Sequence, residues 1–441
     1  MRISHAFLTA AVSTAALLAA SGAQAGGFAV REQSATAQGL SFAGAASGSG
    51  GLSSMFWNPA TITMAPGWNQ EAHASFIIPQ AEITPVAGTS PLLARPQFSG
   101  QFISSGDIAR DALVPSTYTS YQINDRIWIG AATTSPLGLV TKPERLYSGD
   151  LYARSSRILT YNLDAIVGIK VTDWLSFGAG VSGQYFDVKL KRATSPAPVA
   201  GTGILEGDSY GVGFTVGATA NLPTGTVIGV GYRSSINHDL VGTQKTPAFS
   251  VPIETSLNTP DFVNVGLSQA VTDTVRVHFG FEWQNWSRLK QPAIVALPNP
   301  LPIPAGTVVS TLPLNYRDGF FYSVGAEYDW RPDLTFRAGL AYEESPIDTS
   351  IRSPRLPDND RIWASIGATY RYSRKLSFDL AYSHVFVRDT RINIVAGQQE
   401  FAGLPFVANV DAQVDIVSAA LKYRWDDPAV AIPAAPIVRK Y

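Results

Sequence analysis

Five histidines, His5, His73, His238, His278 and His384, are the side chains here best suited to proton transfer near neutral pH. Hydrolysis by a nucleophile would need a base beside it and a third group to orient that base. The chain has no GxSxG elbow, and its histidines are scattered. His278 and His384 fall on what read as the polar faces of alternating segments, where a solvated position is the ordinary expectation. A Ser–His pair is recognised by geometry rather than by spacing. A lipid hydrolase therefore stands as the rival from another functional class. The stretch GAGVSG (178–183) fits GxGxxG, but it lies inside an alternating segment with no helix after it, so it reads as small residues in a strand. Asp358-Asn359-Asp360 and Glu343-Glu344 could hold a cation, yet solvated acids are the simpler reading. Cysteine is absent, which removes disulfides and thiolate metal sites. No metal and no cofactor is assigned.

The elements that would position any site are set by export and by alternation. Residues 1–25, MRISHAFLTAAVSTAALLAASGAQA, combine Arg2, an apolar run and an Ala23-Gln24-Ala25 ending, which is a secretory signal pattern with Gly26 as the expected mature start. The leader carries one Arg and no acid, so its removal takes the formal charge from −1 to −2. With no basic run either, nothing points to nucleic acid. Past the leader no apolar run is long enough for a membrane helix. Yet charged residues make up only 15% of the chain, against about 25% in soluble domains.

Period-two alternation recurs along the rest. In VRVHFGFEWQ, Val275, Val277, Phe279, Phe281 and Trp283 share one face, opposite Arg276, His278, Gly280, Glu282 and Gln284. YGVGFTVGATANL, LTFRAGLAYE and LSFDLAYSHVF behave alike, the last with Asp379 and Ser383 on its polar side. Short turns stand at 124–125, 172–173, 222–225, 272–273, 331–333 and 372–375. Long stretches lie near 84–111, 141–150, 194–208, 244–260, 290–312, 345–360 and 394–410. Six short and seven long connections make about fourteen antiparallel strands over 68–425. This is the pattern of an all-β, transmembrane bacterial outer-membrane barrel. The last strand, VDIVSAALKYRW, ends in aromatics suited to an interfacial girdle and to recognition by barrel assembly machinery. A Pro/Ala-rich tail, 426–441, reads as a flexible extension.

Residues 26–67 are too rich in Gly, Ala and Ser to be strands, and they carry Phe28, Phe42, Met55, Phe56 and Trp57. A barrel of this size needs its lumen filled or leaves a pore. The expectation is an N-terminal hatch with MFWNPATITM as its tight corner, because Pro59 opposes helix and ladder alike and Asn58 favours a turn. A disordered periplasmic arm is the alternative. The segment QPAIVALPNPLPIPAGTVVSTLPL (291–314) has no charge. Such a loop either exposes an apolar binding surface or folds inward. In IWIGAATTSPLGLV, Pro136 denies the ladder a donor and Gly138 permits a bend. The strand is kinked there, leaving a gap in the wall, or else ends early into its loop.

Together these residues resemble the FadL family of outer-membrane long-chain fatty-acid transport proteins. The resemblance rests on GGFAVREQSATAQGLSFAGAAS, on Asn58-Pro59-Ala60, and on DWLSFGAGVSGQY, VGYRSSINHDL, WQNWSRL and LTFRAGLAYEESPI with LPDNDRIWASIGATYRYS, reaching Trp425. It implies a barrel of 14 strands, an internal hatch, a hydrophobic pocket entered by the ring of Phe28, and a lateral opening at SPLG beside the Asn-Pro-Ala corner, with Gly138 at the family's glycine position. It also implies a hydrophobic small-molecule substrate and outer-membrane lipid as partners. Arg192 falls where the family carries an arginine near the bound carboxylate. The family's fatty-acid members have a further base shortly before the strand that here begins NYRDGFFYSVG. STLPL has none, and Arg317 is the nearest. Neutral aromatic hydrocarbons are therefore the alternative cargo.

Overall fold

The computed structural model describes residues 26–197 and 200–427; the leader 1–25 and all but the first two residues of the tail 426–441 lie outside them. The chain after the first forty described residues runs through twenty strands. These are β1 (Trp68–Pro85), β2 (Ala112–Asn124), β3 (Ile127–Thr134), β4 (Gly138–Thr141), β5 (Ser155–Lys170), β6 (Leu175–Ala193) and β7 (Thr202–Asn221). Then come β8 (Thr226–Arg233), β9 (Asn237–Lys245), β10 (Ser250–Asn258), β11 (Phe262–Ala270), β12 (Val275–Gln284), β13 (Ala293–Ala296) and β14 (Val308–Thr311). The rest are β15 (Gly319–Arg331), β16 (Leu334–Glu344), β17 (Arg361–Arg371), β18 (Leu376–Val387), β19 (Thr390–Ile394) and β20 (Phe406–Arg424).

All pairings are antiparallel, and β1 closes on β20 from Asn69↔Arg424 to Pro85↔Ala408. The pairs β3/β4, β8/β9, β10/β11 and β18/β19 are each one stave with an interruption, and β13–β14 is a hairpin in a long loop. Fourteen staves therefore form a closed barrel. Closure pairs the first stave with the last, which is what a bilayer requires of backbone polar groups.

The alternation maps onto the wall with its polarity inverted relative to a soluble protein. Along β16, Thr335, Arg337, Gly339, Ala341 and Glu343 are buried, whereas Phe336, Leu340 and Tyr342 are exposed on the outside. At the short-turn end Trp68, Tyr121, Trp174, Trp330 and Tyr372 form an exposed aromatic rim, where Trp68 stacks on Trp425 at 5.2 Å. An apolar outer belt with an aromatic girdle is the dress of a bilayer-spanning barrel. The inner wall carries an ionic chain that the sequence did not reveal. Arg276 and Arg337 both meet Glu327 at 2.6 Å, Arg337 reaches Asp379 at 3.5 Å, and Lys422 bridges Asp379 (3.1 Å) to Glu71 (3.9 Å).

Three sequence expectations need correction. Strand β7 already begins at Thr202, and β10 occupies 250–258, so the loops expected over 194–208 and 244–260 are short tips on long hairpins. His384 shares the outward parity of Phe378, Leu380, Tyr382 and Phe386. It pairs with Asp415 at 2.8 Å instead of facing the interior. The WNPA corner is not merely a turn: Asn58 caps a 3-10 helix over Pro59–Met64, with Pro59 at its first position, where the missing N–H costs nothing. A short α-helix (Ala35–Gln38) and further 3-10 turns at Ala45–Ser47 and Gly51–Phe56 accompany it.

Residues 26–65 are almost wholly buried and bond to staves on every side of the ring, so they lie inside it. Gln38 bonds β20 through the Ile416 carbonyl (3.2 Å), Ser41 meets Ser365 of β17 (2.8 Å), and Asn58 meets β7. The Glu71 carboxylate accepts from the Leu52 and Ser53 amides at 3.0 and 3.1 Å, neutralising the first donors of the Gly51–Phe56 turn. Close approach explains the inner glycines. A Cβ on Gly178, in the GAGVSG stretch, would stand 2.4 Å from the Pro59–Ala60 backbone, and one on Gly231 would stand 1.9 Å from the Trp57 carbonyl.

Candidate functional site

An apolar cavity of about 860 Å³, partly open to solvent, lies in the outer half of the barrel. Phe186, Leu190, Leu240 and Ile253 line it from the wall, and Leu312 and Leu314 line it from the long loop. The two ends of the uncharged loop 291–314 thus fold inward as a roof, while its tip at 304–308 stays exposed. Its β13 strand pairs with β10, and Ile294 is buried. The Phe28 ring enters from below, edge-on to Trp286 with centroids 4.7 Å apart. Leu190, Leu205, Ile294 and Leu312 also border a larger outer cleft of about 2160 Å³, so the two spaces share a wall.

The kink is a true interruption of the wall. Strand β2 pairs with β3 only from Thr117 onward, and β4 pairs with β5 and meets the segment before β2 only at its end, through the Thr141–Ala109 bridge, which leaves a gap between Ala112–Ser116 of β2 and the start of β4. The segment 28–33 sits in that gap. The Val30 amide donates to the Pro136 carbonyl at 2.8 Å, the Gly138 amide donates to the Phe28 carbonyl at 2.8 Å, and Ala29 and Leu137 form an antiparallel bridge. The Gln33 side chain donates to the Ser135 carbonyl (2.9 Å) and accepts from its amide (3.2 Å). On the far side the Ser75 hydroxyl donates to the Glu32 carbonyl, and the Ser116 and Tyr118 hydroxyls donate to the Gln33 carbonyl, at 3.0, 2.8 and 2.8 Å. The backbone that Pro136 strands is therefore satisfied by the interior segment. Gly138 has no positive φ; it is buried at the start of β4.

Asn58 is fully buried. Its amide donates to the carbonyls of Ala46 (2.7 Å) and Ala218 (2.9 Å) and to the Thr219 hydroxyl (3.1 Å), and its Oδ1 accepts from Ala60 (3.0 Å). This anchors Pro59 and Ala60 against β6 and β7. The neighbours Phe56 and Trp57, not Asn58 itself, share a small cavity with Pro136.

The two arginines differ. Arg192 borders the outer cleft. Arg317 points away from both spaces: its Nε donates to the Ser345 carbonyl at 3.0 Å, and it pairs with Asp348 (3.4 Å) and Asp360 (4.0 Å). A third arginine, Arg355, was not singled out from the sequence although it sits in SPRLPDND. It borders both the cavity and the cleft, makes no ion pair among the described residues, and reaches the Lys191 carbonyl at 3.5 Å. Burial pushes its pKa down from the ordinary arginine value, against the pull of Glu400, whose own carboxyl is pushed up by burial.

Ser268 Oγ lies 2.8 Å from His278 Nδ1, the interior Ser–His pair that the sequence left open. Ser268 also shares a hydrogen bond with Ser47, and His278 Nε2 has no partner among the described residues, so no orienting acid completes a triad. Asp358 is spent on Arg361, Ser345 and the Gly27 amide, and Glu343 on Arg31, Trp363 and the Gly26 amide.

Residues 16–425 match the family model described as outer membrane protein transport protein (OMPP1/FadL/TodX). The long-chain fatty acid transport protein of Salmonella typhi is 26% identical over 423 residues, covering 88% of this chain and 93% of that one. Among solved structures, a FadL homologue of Pseudomonas aeruginosa superposes with a TM-score of 0.80 at 20% identity, over 91% of this chain and 100% of that one. The toluene transporter TbuX of Ralstonia pickettii gives 0.66 at 17%, over 90% and 100%. These are transport proteins and not enzymes, which removes the hydrolase reading. A closed barrel of fourteen staves with a match over nearly its whole length means that this chain belongs to the OMPP1/FadL/TodX family of outer-membrane transport proteins.

Proposed function

We propose that this chain carries hydrophobic molecules, long-chain fatty acids foremost, from the outer cleft into the apolar cavity and out sideways through the gap between β2 and β4. One observation carries the reading: the segment that puts Phe28 into the cavity is the same segment whose backbone fills the gap. Withdrawing it would empty one end of the pocket and open the wall in a single motion. Residues 26–67 thus act as a hatch, held by the Asn58-Pro59-Ala60 anchor on β6 and β7. Cleavage after Ala25 frees its leading end, and the aromatic end at Trp425 serves the barrel assembly machinery. The solute leaves directly into lipid.

The physical need is plain. Each buried methylene is worth about 0.8 kcal/mol, so a chain of about fourteen favours the apolar site by roughly 11 kcal/mol. A route that passes from cavity to bilayer never requires rehydration. A ligand can open the hatch only by binding the open form more tightly than the closed one.

Arg355 and Arg192 at the cleft favour a cargo with an anionic head. The commitment of Arg317 to Asp348 and Asp360, and the lack of a base in STLPL, favour neutral aromatic hydrocarbons as the second reading. Uptake by cells of a matched acid and alkane tests both. Pro136→Ala with Gly138→Val should cut uptake of either solute at least tenfold. Arg355→Ala should weaken uptake of the acid severalfold and leave the alkane alone. Unchanged uptake in the first variant sinks the side exit, and equal effects of the second on both solutes sink the acid preference.

A further inference from the structure

The first two described residues are tied to two acids distant in the chain, Glu343 of β16 and Asp358 of the loop before β17. The Gly26 nitrogen lies 3.1 Å from Glu343 Oε1 and the Gly27 nitrogen 3.0 Å from Asp358 Oδ2, both buried. A Cβ on residue 26 would stand 2.6 Å from that same Glu343 oxygen, so a larger residue would have to push this carboxylate aside. The surrounding ion cluster is short of a cation. Arg31 pairs with Glu282 (2.9 Å) and Glu343 (3.1 Å), and Arg361 pairs with Glu343 (3.7 Å) and Asp358. Two guanidinium groups thus face three carboxylates. Glu32, fully buried beside them with neither carboxyl oxygen bonded, is pushed up to about 7 by desolvation, so it adds little negative charge below neutral pH. Widening the circle does not close the deficit: Arg317 pairs with Asp348 and Asp360, and buried Arg352 feels Asp358 first and then the same two acids, so four guanidinium groups face five carboxylates.

An uncompensated buried carboxylate is costly. While residue 25 is attached, the nitrogen of Gly26 is an amide with one proton and no charge. Removal of the leader turns it into an ammonium with three donors, already within hydrogen-bond distance of Glu343. We infer that the α-ammonium released at Gly26 is the missing third cation of this cluster, and that it latches residues 26–30, with Phe28, in the closed position. Processing would then complete the gate as well as free the protein from the inner membrane. This rests on cleavage after Ala25 but not on any choice of cargo, so failure of the latch and failure of the transport reading are separable.

The test uses the full mature barrel in detergent. The N-terminal peptide is identified by mass, and acetylation of its amine by a small active ester is followed against pH in native and unfolded protein. The latch predicts Gly26 at the terminus, acetylation at least tenfold slower in the native barrel, and a native amine that titrates above the ~8 of an unfolded terminus. One alanine inserted before Gly26 moves the charge while leaving every side chain in place. It should restore the unfolded rate and speed hydrogen exchange at the Val30 and Gly138 amides. A different native terminus, a native amine titrating at or below the unfolded value, or an extended variant as protected as wild type would each overturn the latch. The wild-type arms alone can do so if the variant fails to assemble.

Discussion

The wall is interrupted beside the cavity in two ways, and the difference lies in what fills each break. Between β3 and β4 residues 28–33, which belong to no stave, satisfy Pro136 and Gly138 through main chain and Ser135 through the Gln33 side chain, and Thr160 of β5 meets Leu137. Between β8 and β9, and between β10 and β11, the wall mends itself. Asp261 accepts from the Ser235 amide, the Tyr232 hydroxyl and the Asn285 side chain at 2.9 Å each and from Arg288, while Thr259 accepts from the Ile236 amide at 2.8 Å. Both solutions meet the demand that no polar backbone face lipid unpaired. On the proposed mechanism only the first is undone during transport, since its filler is held at one end by the chain itself and at the other by ionic and main-chain contacts. A breach closed by a removable part is a gate; a breach closed by its own side chains is a hinge in the wall at most.

The comparison breaks most sharply at Val30. Val30→Pro deletes the N–H that reaches Pro136, and an unmade bond at that carbonyl costs a few kcal/mol. Entry of a hydrophobic fluorescent dye into intact cells should rise about tenfold if 28–33 is the seal, and stay flat if the gap is closed by something else. The converse variant, Asp261→Asn, strips charge from three or more donors at the self-mended seam. It should lower barrel stability by about 2–3 kcal/mol, seen in the unfolding midpoint in denaturant, while uptake stays within twofold. A large leak from this variant would erase the distinction between the two breaks.

The smallest expected effect concerns Glu32, whose folded value near 7 lies above the ordinary carboxyl range because burial disfavours its charge. A raised carboxyl is protonated in the docked hatch and ionised in the released one between the two values. Docking is thus strongest below about pH 4.5 and weakens as pH climbs to 7, levelling off beyond. Hydrogen exchange at the Val30 amide, taken relative to the intrinsic rate of an unstructured amide at each pH, should quicken severalfold across that interval in the wild type. Glu32→Gln should flatten the profile, and an unaltered slope would assign the pH response to another group.

The strands were legible wherever they cross lipid, because there one face must be apolar and the other not, as in β12, β16 and β18. Legibility failed where staves rise above the bilayer. In the outer parts of β6, β7 and β9, cross-strand ions such as Lys189–Glu206 and Lys245–Glu206, both at 2.5 Å, replace the apolar face, so Thr202–Ser209 resembled a loop. His384 was misplaced for the same reason: near the rim a His–Asp pair can stand on the outer face. Asn58 and Pro136 were visible as local oddities, and Phe28 and Arg192 through the resemblance. Arg355 was not, since nothing in its neighbourhood along the chain announces that its loop folds over a cavity.

By itself the sequence determined an exported, closed barrel with an irregular leading segment and one proline-broken stave, since alternation, turn chemistry and the ring constraint of proline act within a few residues. Only the tertiary structure decided what the break meets. The Arg31–Glu343 pair spans 312 positions and the Gln33–Ser135 bond 102, and no local pattern encodes which buried charge finds which partner across a lumen. Those partnerships follow from the barrel's diameter and from glycines that let the inner segment lie against the wall, and both exist only once the ring has closed.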